Sequence, residues 1–285
     1  MKILITGHKG FIGSYLTREL DRLNLEWVGY DLKEGKDIRN RYMLYEFFDF
    51  YRPEKVVHLA ALAGVRRGEE FPEEYLSTNV TGTLNVVKNC EKFYVDRLIN
   101  FSSSSVYGEG KPPVKEQDPK NPKAMYGLTK LMAEKIVESS KINSITIRPF
   151  TVYGENGRPD MVIYKWINQI LSGKPISFYG NGFSKRGYVN VNDLVDGVIK
   201  VLTSDLNPGT KLALNLGGHE VVSLRDLLGM FIKYSRKSFE VESLLMPSSD
   251  IGENWADTTL AETLFGWTPK RKFEVELKKI IKKEL

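Results

Sequence analysis

Ile3-Leu4-Ile5-Thr6-Gly7-His8-Lys9-Gly10-Phe11-Ile12-Gly13 is an apolar run that ends in evenly spaced glycines and passes straight into residues with helical apolar spacing. Such a stretch reads as a strand, a tight turn and a helix that begins at once. Glycines let the backbone of the turn approach a ligand closely, and the amino end of the helix offers unpaired N–H groups, so a pyrophosphate is suited to the place. The glycines alone would also suit an ordinary strand-to-helix turn. Their position on a βα junction favours Gly7, Lys9, Gly10, Phe11, Ile12 and Gly13 as contacts of a dinucleotide.

Further along, strand-like runs at 2–6, 26–31, 55–59, 97–102 and 144–148 alternate with helix-like patterns at 11–23, 40–51, 73–93 and 122–140. Alternation of this kind predicts an α/β fold of Rossmann type, a doubly wound parallel sheet with helices on both faces. Asp31 ends the second of these strands, where a carboxylate accepts both ribose hydroxyls and repels a 2′-phosphate, which favours NAD over NADP. A solvated loop aspartate is the plainer reading, and the nearby Lys33 argues the other way on the phosphate. The interval from Asp31 to Asp37 is too short for a helical crossover, so one strand and helix of the usual set are expected to be missing or shrunken. After about residue 150, glycines and prolines multiply. The expected division is an NAD-binding domain over 1–150 and a smaller α/β substrate lobe over 151–285, with a helix near 192–204 packing back on the first domain.

The chain has 285 residues, 41% of them hydrophobic and 11% aromatic, enough to bury a substantial core. No apolar run approaches the roughly 20 residues that span a bilayer. The amino end enters the first strand directly and Cys90 has no second cysteine to pair with, so a cytoplasmic protein is expected, without a membrane partner. The formal charge of +5 owes much to Lys278, Lys279, Lys282 and Lys283, read as the wet face of a terminal helix rather than a nucleic-acid site. His8, His58 and His219 lie far apart with no ligand-type spacing, so no metal is expected.

Tyr126-Gly127-Leu128-Thr129-Lys130 sets a phenol and an ammonium four apart, on one helix face. A nearby cation and an oxidised nicotinamide both stabilise phenolate, which suits a general base. Such a pair is common by chance. Joined to the glycine turn, to His58-Leu59-Ala60-Ala61 and to Phe101-Ser102-Ser103-Ser104-Ser105-Val106-Tyr107-Gly108, it resembles the nucleotide-sugar epimerase/dehydratase branch of the extended short-chain dehydrogenases over nearly the whole chain. The resemblance implies NAD as cofactor, Tyr126, Lys130 and Ser103 as catalytic residues, and a homodimer built from the helices near 73–93 and 122–140. It also implies Asp37 and Ile38 at the adenine, Leu59, Ala60 and Ala61 beside the pyrophosphate, Asn79 bracing that loop, and Lys130 on the nicotinamide ribose. Which of Ser103, Ser104 and Ser105 is the principal hydroxyl stays open.

Dehydratases that resemble this chain carry Asp and Glu after the catalytic hydroxyl residue, and decarboxylases a Glu; here stand Ser104 and Ser105, which favours simple 4-epimerisation. The segment from Arg148 to Met161 resembles UDP-glucuronate 4-epimerases, as does Ala63-Gly64-Val65-Arg66. That likeness implies a UDP-sugar substrate held by Ser103, Ser104, Ser105, Thr151, Arg158 and Met161, with Arg158 pairing to the C6 carboxylate. A surface-loop charge is the other reading of Arg158. Arg186 resembles the arginine that contacts the diphosphate, and Asp250 and Trp255-Ala256-Asp257 match the family pattern. Gly187, Asn190 and Ser249 depart from it, where Asp, Tyr and Gly are usual. The alternatives are UDP-glucose/UDP-galactose 4-epimerase, a nucleotide-sugar dehydratase or reductase, and a non-enzymatic NAD-binding regulator.

Overall fold

The computed structural model describes residues 1–246 and 251–285. The first half runs β1 (Ile3–Thr6), α1 (Phe11–Arg22), β2 (Trp27–Tyr30), a 3-10 turn (Leu32–Glu34), α2 (Arg41–Tyr51), β3 (Lys55–His58), α3 (Val65–Glu70), α4 (Pro72–Tyr75), a π-helical stretch (Leu76–Gly82), α5 (Thr83–Lys92), β4 (Arg97–Phe101), a second 3-10 turn (Ser104–Val106), α6 (Met125–Ser139) and β5 (Ser144–Pro149). The second half runs β6 (Thr151–Tyr153), α7 (Val162–Leu171), β7 (Ile176–Tyr179), β8 (Lys185–Asn190), α8 (Val191–Thr203), β9 (Lys211–Leu216), β10 (Val221–Ser223), α9 (Leu224–Tyr234), β11 (Val241–Leu244), β12 (Glu253–Asn254), α10 (Thr259–Phe265) and α11 (Phe273–Glu284).

Six parallel strands form the central sheet in the order β2-β1-β3-β4-β5-β9. Both faces are covered, which is why β1 and β4 are buried along their whole length; β1 opens as the apolar run Ile3-Leu4-Ile5, whereas β4 also buries Arg97 and Asn100. On one face Leu16 and Leu20 of α1 meet Val195, Val198, Val201 and Leu202 of α8. On the other, Leu44 and Phe48 of α2 pack with Val86, Val87 and Cys90 of α5 and Val137 of α6. Each fully buried side chain of this kind contributes about 1.5–3 kcal/mol. A separate core holds the second lobe together, around Trp166, Ile170, Phe231, Phe273 and Leu277.

The Asp31–Asp37 interval holds one 3-10 turn, and β2 is an edge strand, so among the described residues the strand that would lie beyond it is missing. The helix near 192–204 is α8, and it packs on the first domain through its apolar face. Residue 150 is not where the first layer ends. The sixth strand, β9, comes from the second half, because Lys211–Leu216 pairs in parallel with Ser144–Pro149. The helix expected over 73–93 runs without a break from Pro72 to Lys92, with a π-helical stretch between α4 and α5. Among the described residues no helix is long and apolar enough to cross a membrane.

Candidate active site

Strand order reverses between β1 and β3, and in open α/β sheets the crevice beyond the carboxyl ends of the strands at such a point receives the ligand. Gly7 leaves β1 there with φ +75°, and a Cβ on it would lie 2.7 Å from Ala60 N. A Cβ on Gly13 would lie 2.3 Å from Gly7 O. Glycine at both positions therefore lets α1 and the end of β3 close on the turn. Gly10 caps α1 without any side-chain hydrogen bond, so the helix amino end keeps its N–H groups for a ligand. The turn thus fits the pyrophosphate of a dinucleotide.

Asp31, 7% exposed, takes Lys9 N on Oδ2 and Lys33 N on Oδ1, each at 2.8 Å. A lone pair on each oxygen remains for ribose hydroxyls. Lys33 Nζ donates to Lys9 O, so the residue that argued for a phosphate is tied to the backbone. Glu34 stands beside it with its carboxylate matched by Lys9 and Lys36, whose hydrogen bonds pull its pKa down to about 2. Asp37 is paired with Arg39. The Ile38 side chain is buried in the core against Gly82, so what it offers a ligand is its backbone. Leu59, Ala60 and Ala61 are half-buried on the loop after β3. Asn79, 1% exposed, holds that loop by accepting from Leu62 N at 2.8 Å and donating to Leu62 O at 3.0 Å.

Tyr126 and Lys130 stand on the first turns of α6, whose start is fixed by Met125 N donating to Glu69 at 2.8 Å. The Tyr126 phenol stands near Arg158 and Ser103; burial pushes its pKa up, while Arg158 and then Ser103 pull it down. Lys130, 7% exposed, donates Nζ to Phe101 O at 2.7 Å, and burial lowers its pKa to about 8 against the pull of Glu134. Two of its hydrogens remain for a ribose. The serines separate by partner: Ser103 faces Tyr126 and donates to Ser105 Oγ at 3.1 Å, while Ser104 accepts from Asn254 Nδ2 at 3.0 Å. One turn behind Lys130, Glu134 and Arg148 form a buried two-pronged ion pair at 2.7 and 2.8 Å. Arg148 also donates to Tyr107 OH and Glu116 O, clamping α6 to β5.

Thr151, Arg158 and Met161 line one small cavity with Tyr153 and Tyr188. The Arg158 side chain, 32% exposed, is held by Asp160, with Nε to Oδ1 at 3.0 Å and Nη2 to Oδ2. Nη1 is outside that pair. Arg158 Nη2 and Tyr75 OH both lie beside Gly64, at 3.3 and 3.6 Å from where its Cβ would be. Arg186 donates to Lys185 O, Gly252 O and Ile251 O, tying β8 to the chain that leads into β12. Gly187 is forced by Trp255, whose Cβ would be 2.6 Å from a Cβ there, leaving no room for the usual Asp. Asn190 caps α8 by accepting from Asn192 N at 3.0 Å. Asp250 lies outside the described residues.

Sequence reasoning assigned no role to Glu34, Asp160 or Asn254. Asp160 sits inside the quoted Arg148–Met161 segment, two residues from Arg158, which was the one signal for it. Nothing in the sequence marked Asn254, which reaches Ser104 across 150 residues.

The profile of the NAD dependent epimerase/dehydratase family matches residues 3–217. A UDP-glucuronate 4-epimerase of Thermodesulfobacterium geofontis is 32% identical over 98% of this chain and 94% of its own length. A crystal structure of UDP-glucuronic acid 4-epimerase from Bacillus cereus, in complex with UDP-glucuronic acid and NAD, superposes with a TM-score of 0.91 and 31% identity over 100% of both chains. The NAD complex of UDP-glucose 4-epimerase from Thermus thermophilus does so with a TM-score of 0.90 and 25% identity, over 100% of this chain and 99% of that one. With a glycine turn at the switch point, a Tyr/Lys pair on the first turns of α6 and a profile match over most of its length, this chain belongs to the NAD-dependent epimerase/dehydratase family.

Proposed function

We propose that this protein is an NAD-dependent UDP-sugar 4-epimerase and that its substrate pair is UDP-glucuronate and UDP-galacturonate. The observation that supports the reading is the placing of Tyr126 and Lys130 on the first turns of α6, with Lys130 Nζ held by Phe101 O and Arg158 and Ser103 acting on the Tyr126 phenol. Tyr126 takes the proton of the sugar 4-hydroxyl, and Ser103 holds the same oxygen. NAD, if held at the glycine turn, would supply reversible hydride transfer at C4, which is the chemistry a 4-epimerisation needs. Lys130 supplies the cation that favours phenolate and has hydrogens left to orient the nicotinamide ribose. Ser104 and Ser105 are no acid and base for elimination, which argues against a dehydratase, and retention of Tyr126 and Lys130 argues against a non-catalytic regulator. A reductase would consume NAD(P)H, whereas an epimerase restores its cofactor each cycle.

Arg158 is the group suited to the C6 carboxylate, and the relatives named as UDP-glucuronate 4-epimerases support that choice. One observation favours the glucose/galactose reading instead: Asp160 already neutralises Arg158. Turnover of both substrate pairs by purified protein decides between them. Higher kcat/KM for UDP-glucuronate is expected, and a preference for UDP-glucose would overturn the assignment.

Asp31 keeps a buried carboxylate at the end of β2 that suits ribose hydroxyls and repels a 2′-phosphate, so NAD is expected to bind more tightly than NADP. Isothermal titration with equal or better affinity for NADP would contradict this. The working form we infer is a cytoplasmic homodimer, joined by a face on which Leu76, Leu128 and Met132 are exposed at 37%, 43% and 39%.

A further inference from the structure

Thr6 and His58 are register partners at the carboxyl ends of β1 and β3, beside the glycine turn. Both are buried. His58 spends both ring nitrogens on hydroxyls, Nδ1 at 2.7 Å from Thr6 Oγ1 and Nε2 at 3.0 Å from Thr83 Oγ1. Their neighbours decide which nitrogen carries the proton. Thr83 Oγ1 gives its single hydrogen to Asn79 O at 2.6 Å, so toward His58 it accepts, and Nε2 is the protonated nitrogen. Nδ1 is then an acceptor. Thr6 Oγ1 donates to it, while the same oxygen accepts from Ala60 N at 3.3 Å.

The chain of bonds continues toward the catalytic helix in one direction. Asn79 Nδ2 donates to Leu62 O at 3.0 Å and to Thr129 Oγ1 at 3.1 Å, and Thr129 Oγ1 donates to Tyr126 O at 3.0 Å. No donor in this run has a second place to turn without stranding a buried group.

We propose that His58, as the neutral Nε2–H tautomer, is a positioning residue that locks the loop at Ala60 to the helix carrying Tyr126, setting the spacing between cofactor and base. The role of Tyr126 in that statement rests on the epimerase reading; the tautomer does not. Burial keeps the ring neutral, and the charge of Lys130 acts in the same sense.

Nitrogen NMR of the full chain with 15N-labelled histidine tests the tautomer without any substrate, His58→Gln assigning its signals among the three histidines. A proton on Nε2 and a bare Nδ1 are expected for His58; a proton on Nδ1, or on both, overturns the proposal. Thr83→Val removes the acceptor while keeping the shape. It is expected to perturb the His58 signals and lower kcat about 10- to 100-fold, the scale of a small misplacement of reacting groups, with KM for the sugar near wild type. Thr83→Ser should restore both readouts. Unchanged turnover in Thr83→Val, or equal impairment in Thr83→Ser, overturns the positioning role. A chain that interconverts no UDP-sugar would remove the epimerase reading and leave the NMR result to stand or fall alone.

Discussion

Arg158 and Tyr126 lie near one another yet answer to different chemistry, so their substitutions separate. Arg158→Ala should weaken UDP-glucuronate selectively, because only the acid leaves a desolvated charge unpartnered. A charge-assisted hydrogen bond is worth about 1.5–3 kcal/mol, so the selective loss is roughly 10- to 150-fold in kcat/KM. Equal impairment of acid and neutral sugars would assign the arginine to the loop it shares with Asp160. Tyr126→Phe should abolish turnover of either sugar while both still bind. His58 makes a prediction in pH. Its folded pKa is depressed from 6.5 to about 3 by burial, so the unfolded chain binds the extra proton between those values and stability falls as pH falls through that window. The whole effect is up to about 5 kcal/mol at ~1.4 kcal/mol per pH unit. Urea unfolding of wild type and His58→Gln at several pH values checks it: the wild type should lose stability relative to the variant below pH 6.5, and parallel curves would contradict the assignment.

At the scale of elements, α6 matters most, because it carries Tyr126 and Lys130 on its first turns and is anchored by Glu134 one turn later. Arg148 and Glu134 are 5% and 8% exposed, and breaking such a buried pair costs about 3–5 kcal/mol, since the partner is left charged and unsatisfied. Glu134→Gln should lower the unfolding free energy by about that amount in urea titrations. Glu134→Leu combined with Arg148→Met should recover much of it, and a double variant as unstable as the single one would show that the pair is more than mutual neutralisation. The π-helical stretch at Leu76–Gly82 has a visible consequence too: Asn79 lies within it, bonded to the loop after β3.

For the molecule as a whole, the exposed apolar positions of α6 are the ones that a two-fold partner would cover. Leu128 and Met132 are four apart and therefore share one helical face. Replacing both with lysine should leave the fold intact and convert a homodimer to a monomer in light scattering at micromolar concentration. A wild-type monomer under the same conditions would refute the dimer directly. Ser104 and Asn254, 150 residues apart, are joined by a hydrogen bond at 3.0 Å, so the serine turn is held partly by the second half of the chain.

Local patterning was enough for the glycine turn, the alternation of strands and helices and the Tyr126/Lys130 face, because each depends on residues within a few positions of one another. The shortened crossover after Asp31 was legible for the same reason: chain length alone forbids a helix there. The sixth strand was not, since Lys211–Leu216 joins β5 only through pairing across a long stretch of intervening chain, and a short apolar run does not say which edge it will meet. Nor could sequence choose among Ser103, Ser104 and Ser105, which are chemically alike and differ only in what lies opposite them: Tyr126, Asn254 and Ser103 itself. The sharing of Arg158 with Asp160, the loss of the usual Asp at Gly187 to the bulk of Trp255, and the single direction of the His58 hydrogen bonds were likewise decided only in three dimensions. Spacing along a chain encodes neighbours on one element; the partners of a buried polar group come from elements that only the packed core brings together.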